Sequence, residues 1–386
     1  MLRRRFPSAS LLLVALAIAL AACGRSERAE EARIVGDALT VYSSLPQTGP
    51  LAEVSRDMVR AEKLALEQAG GRAGDYRISY VSLDSADPKT GRWTPDRVVQ
   101  NARAAVEDLQ TIAYIGELEA GASAVSVPIL NEGGMLQVSP GDTFAGLTEA
   151  GLPGEPEKYY PSGRRTFARM VPDDDEQVEQ LVALMRRRGV RRAWLADDRQ
   201  VGGTSLVDRL ERRLRTTGIE VVDRERLDPK GEVPEDLARD VREDRTDAFV
   251  YAGAYQPFAV EVLRAVHAGA PRVDLFAPDG MAVAPDLPLR AGGAGDKLLV
   301  TAVQPDEDAD FARRFRSRYG SDPHPRAVLA YDAMRLVLEA IDRAGAKAGN
   351  RPTVIREALS AAGAPRARFA AFRIVGGRLV RAARGL

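Results

Sequence analysis

Cysteine and histidine are all but missing: 386 residues hold 1 Cys and 2 His. One sulfur cannot close an intramolecular disulfide, and a Cys-rich zinc site cannot be built. A Cys–His nucleophilic pair is nearly excluded, because the one Cys falls inside a segment that reads as an export signal. An excess of charge of either sign is missing too. Lys and Arg total 55, Asp and Glu total 55, and the formal net charge is +0. That balance points to neither a nucleic-acid surface nor an acidic tail. The catalytic frames GxxxxGK[ST], GxSxG and HExxH are absent, and Gly292, Gly293 and Gly295 lack GxGxxG spacing. No catalytic residue, cofactor or metal is expected. Past the N-terminus no apolar run approaches 18 residues, so the body is expected to be soluble.

What is present begins with an address. Arg3, Arg4 and Arg5 precede the apolar run Leu11–Leu20, followed by Ala21-Ala22-Cys23. About ten residues rise roughly 15 Å as a helix, half a bilayer core. The run therefore reads as a signal-peptide core and not as a span. Cys23 after two small residues resembles the bacterial lipobox, which implies cleavage before Cys23 and its lipidation. Residues 24–37 are polar and read as a flexible tether.

From residue 38 short apolar or β-branched runs alternate with helical stretches. Thr94 before Pro95 marks a helix start. Val178, Leu181, Val182 and Met185 recur at helical spacing, as do Ala333, Leu336, Val337, Ala340 and Ile341. The alternation predicts parallel sheets with helices on both faces, in two units of similar layout. The acidic run Asp173–Glu176 reads as a helix cap, His267 as a packed helix residue and His324 as loop.

In open α/β sheets ligands bind beyond the carboxyl ends of the strands. Six strand-end loops carry the small and polar residues such a site needs: 45–50, 116–121, 139–143, 197–200, 253–255 and 278–280. Free amides and a Thr hydroxyl suit a carboxylate. An acid and an aromatic suit an ammonium.

In order, Thr48-Gly49-Pro50, Ile115-Gly116, Ser139-Pro140 with Thr143, Tyr255 with Pro257, Pro278-Asp279-Gly280 and Tyr331-Asp332-Ala333 resemble the branched-chain amino-acid-binding proteins. These are type I periplasmic binding proteins serving ABC importers, and the resemblance spans about 38–384. It implies an α/β fold of two doubly wound lobes, joined by a three-segment hinge that closes on a ligand. Lobe 1 would be 38–160 plus 303–365, and lobe 2 161–302 plus 366–386. The resemblance assigns a ligand carboxylate to Ala120, Gly121, Gly141 and Thr143, and an ammonium to Asp279 and Tyr255. It departs from the family at Ala120, where a Ser is usual, and at Val54 and Val201, where aromatics are usual. Asp279 stands for a Glu, and Glu119 and Asp142 add acids at the rim. The expectation is a monomeric, lipid-anchored binding protein in the cell envelope. It would hand a small amino-acid-like ligand to an ABC permease, with an envelope sensor of the same fold as the alternative.

Overall fold

A computed structural model describes residues 33–382. The expected signal peptide and Cys23 lie outside the described residues. Part of the expected tether is pinned: Ile34 is buried, and its amide donates to the Gly349 carbonyl at 2.8 Å. An apolar side chain at the end of a polar segment anchors it where it meets a core.

The first unit contains β1 (Ala38–Leu45), β2 (Arg72–Ala73), β3 (Tyr76–Asp84), β4 (Thr111–Ile115), β5 (Leu136–Ser139) and β6 (Phe167–Arg169). They form one sheet in the order β2-β3-β1-β4-β5-β6, parallel except for the short β2. The second unit contains β7 (Arg192–Asp197), β8 (Glu220–Arg226), β9 (Ala248–Ala252), β10 (Asp274–Ala277), β11 (Leu298–Pro305), β12 (Ala367–Val375) and β13 (Arg378–Arg381). Their order is β13-β12-β11-β10-β9-β7-β8, with β12 antiparallel to both neighbours. In each sheet the strand order reverses, at β1 and at β7, and that reversal opens a crevice at the carboxyl ends.

The apolar periodicities land where the spacing predicts. Val178, Leu181, Val182 and Met185 are buried on helix Asp174–Arg187. Helix Ala327–Ala344 buries its apolar face in a core shared with β1, β4 and β5. Thr94 caps helix Pro95–Glu107 by accepting from the Arg97 amide at 3.3 Å. Asp173 caps helix Asp174–Arg187 through the Asp175 amide at 3.1 Å.

The chain passes between the sheets three times: after β6, after β11, and before β12. The expected boundary at residue 160 is corrected, because β6 pairs with β5 and keeps the chain with the first sheet to Arg169. Three residues without alternation give no strand signal in sequence. β11 likewise runs to Pro305, past the expected 302. One apolar cluster spans both units and joins Leu51, Val54 and Leu118 to Phe258, Met281 and Val283. Among the described residues no helix is long and apolar enough to cross a membrane.

Candidate functional site

A cleft lies between the two sheets, walled by loops that follow β4 and β5 on one side and β7, β9 and β10 on the other. It is a small cavity with room for several waters and so for a small molecule.

From the first unit come Trp93, the loop Leu118–Gly121, Gly141 and Thr143. Ala120 and Gly121 open helix Ala120–Glu132, where the first amides have no intrahelical acceptor. Beneath the loop Glu117 is fully buried and accepts from the Tyr114 hydroxyl at 2.6 Å and the Ser44 hydroxyl at 3.0 Å. Burial pushes the Glu117 carboxyl up to about 8, against those two hydrogen bonds. Gly121 is tight against an aromatic wall: a Cβ there would sit 2.8 Å from Trp93 Cζ2.

From the second unit come Asp174, Gln177, Asp198, Gln200 and the turn Pro278–Gly280. Asp198 is 2% exposed, and its two oxygens accept the Gln200 and Ala254 amides, each at 3.1 Å. Burial raises its carboxyl to about 6, and the amide bonds oppose that. Gly203 and Gly253 leave space for it, since a Cβ on either would come within 2.4 Å or 2.7 Å of an Asp198 oxygen.

A polar chain crosses the cleft floor. The Thr143 hydroxyl stands against Asp174, whose amide donates to the Thr143 carbonyl at 2.8 Å. Gln177 donates to Asp174 Oδ1 at 2.8 Å, and its own carbonyl accepts the Asp279 amide at 2.7 Å. Asp279 Oδ1 then accepts the Val303 amide at 2.7 Å and pairs with Arg326. Burial raises Asp174 to about 7. The Glu119 carboxylate, on the other wall, makes no hydrogen bond or ion pair among the described residues. Burial takes it to about 7, with Arg92 nearby pulling the other way.

Five of the residues named from sequence line this cleft: Ala120, Gly121, Gly141, Thr143 and Asp279. Three do not, and these are corrections. Asp142 is buried behind the loop, where its Oδ1 accepts the Phe144 amide at 2.8 Å. Val201 opens helix Val201–Leu214 and packs toward Phe144, Tyr159 and Tyr160. Tyr255 is buried in the apolar cluster below the cleft, with its phenol beside Asp286; burial and then Asp286 push that phenol up. Asp279 is in the cleft, but its charge already meets Arg326. Sequence reasoning passed over Trp93, Gln177 and the site role of Asp174, and it noted Asp198 only as part of a loop. A Trp one residue before the helix cap Thr94 was the one signal available for Trp93.

The family model for periplasmic binding proteins matches residues 43–384. A Leu/Ile/Val-binding protein of Rhizobium johnstonii, BraC3, is 22% identical over 313 residues, covering 80% of each chain. Among solved structures, the leucine-binding protein LivK of Thermotoga maritima superposes with a TM-score of 0.73 at 20% identity, over 89% of this chain and 98% of that one. A solute-binding protein of Rhodopseudomonas palustris, solved in complex with benzoate, gives 0.68 at 19% identity, over 89% and 95%. Ligands as different as these names imply share one backbone frame.

Proposed function

We propose that this chain, which belongs to the periplasmic binding protein family, captures a small polar ligand between its two lobes and delivers it to an ABC permease. It is a solute-binding protein and not an enzyme. In this reading it works outside the cytoplasm, held to a membrane by a lipid on Cys23.

The supporting observation is the cleft itself. Loops from the carboxyl ends of both sheets wall one small cavity, with Gly202 of one unit so close to Ala120 of the other that a Cβ would lie 2.9 Å from Ala120 Cβ. The Arg92 guanidinium reaches across to Gln256 at 2.6 Å, and Arg209 to the Ala150 carbonyl at 3.0 Å. A ligand enters such a cavity only if the lobes part, so binding and hinge closure are coupled. We assign the walls of the ligand site to Trp93, Glu119, Ala120, Gly121 and Thr143 on one lobe and Asp174, Gln177 and Asp198 on the other.

A thermal-shift screen over amino acids, small amides and amines, followed by small-angle scattering, tests this. A ligand at about 100 times its Kd stabilises by roughly 2.7 kcal/mol, and the same compound should compact the protein. Tight binding with both lobes unmoved overturns the clamshell reading.

A further inference from the structure

We infer that the cleft takes an organic cation, an amine or diamine without a free carboxylate, in place of an amino-acid zwitterion. This rests on the reading of the cleft as the ligand site, and it concerns the charge of what enters.

The walls carry four carboxylates, Glu119, Asp174, Asp198 and Asp279, and no Lys, Arg or His. Only Asp279 is neutralised by an ion pair, with Arg326. Arg92 and Arg169 lie near Glu119 and Asp174 and act on them at longer range, while their hydrogen bonds go to Gln256, Phe144 and Thr148. Asp174 and Asp198 are buried and Glu119 is partly buried, each without an ion pair, so burial opposes the charge on each of them. A bound cation removes that cost and gains an attraction.

The aromatic wall agrees. Trp93 presents an indole to the same space, and an indole face is the best aromatic partner for an ammonium. The place where a ligand carboxylate would sit argues against a zwitterion. The Thr143 hydroxyl faces the Asp174 carboxyl, and Glu119 immediately precedes the helix whose first amides would receive the anion. A ligand carboxylate there would face two acids.

The acids are spread along the cleft and not gathered at a point. Among the described residues no three His, Cys, Asp or Glu side chains could hold a metal ion. That distribution suits an extended organic cation and not a metal.

The test holds the alkyl group constant and varies charge. Leucinamide, leucine and 4-methylpentanoate carry one positive charge, no net charge and one negative charge; putrescine and cadaverine extend the cationic arm. Each is added to the purified chain in thermal-shift and calorimetric titrations. Cations should raise Tm, while leucine and 4-methylpentanoate should not at equal concentration. Glu119→Gln and Asp198→Asn should each weaken the best cation by about tenfold or more, and circular dichroism reports whether both variants stay folded. Silence from every cation overturns the charge assignment. Binding of leucine or 4-methylpentanoate alone also overturns it, yet leaves the solute-binding reading standing. Cation binding unchanged in both variants places the cation outside the cleft and overturns the assignment as well.

Discussion

Asp279 and Arg326 form a buried ion pair in which both side chains are nearly inaccessible. Asp279 follows β10 in the second unit, and Arg326 stands at the start of helix Ala327–Ala344, which packs in the first unit's core. The same Asp279 oxygen accepts the Val303 amide on β11, the strand that leads to the second crossover. The pair therefore ties the two units together at their connection.

Asp279→Asn should then destabilise the unliganded protein. Removing one partner of a buried pair strands the other charge, at a cost of roughly 3–5 kcal/mol. Urea unfolding without ligand measures it. A variant as stable as the parent would return Asp279 to a simple turn residue.

Gly203→Ala should be costly in a different way. The added Cβ falls 2.4 Å from Asp198 Oδ1 and 2.5 Å from the Ala252 carbonyl. Neither backbone nor a twice-bonded carboxylate yields easily, so overpacking of about 1–3 kcal/mol is expected. Thermal melting reads the loss, and an unchanged Tm would mean the loop relaxes freely.

Stability should fall as pH rises from about 5 to 8.5. Glu117 is raised to about 8, Glu62, Glu119, Asp142 and Asp174 to about 7, and Asp198 to about 6, each chiefly by burial. Over this window the folded chain keeps protons that the unfolded chain has released. Unfolding thus releases protons and grows more favourable with pH. His324, lowered to about 4 chiefly by burial, acts oppositely and favours unfolding as pH falls below its unfolded value. One such group against six acids leaves the net slope negative, at least about 1.4 kcal/mol per pH unit where one proton differs. Glu117→Gln should flatten the curve above pH 7. A Tm–pH profile that rises toward pH 8.5 would contradict these environments.

Cys23→Ser should abolish incorporation of labelled fatty acid and free the protein from membranes or leave its precursor uncut. Labelling that survives the substitution would remove the anchor.

Much of the fold was readable before any coordinates. The spacing of Val178, Leu181, Val182 and Met185 demands a helix with one apolar face, and Thr94-Pro95 demands a helix start, because both are local rules of backbone geometry. The loops 116–121, 139–143 and 278–280 were also found by sequence, since strand ends in a parallel sheet converge on one edge. β6 was not readable: Phe167–Arg169 is a strand only because β5 lies beside it.

The chain's own order of residues thus determined the alternation of strand and helix, the helix caps and the loops that could reach a ligand. Tertiary structure alone decided which side chains face one another. Asp279 looked like a free acid until Arg326, 47 residues away in the chain, came to meet it. Tyr255 looked like a wall of the cleft until burial turned it toward Asp286. Asp174 looked like a helix cap until Thr143 and Gln177 drew it into the cleft floor. Local propensity depends on a few neighbouring residues, whereas the charge state and direction of a buried side chain depend on partners brought together only when both sheets are packed.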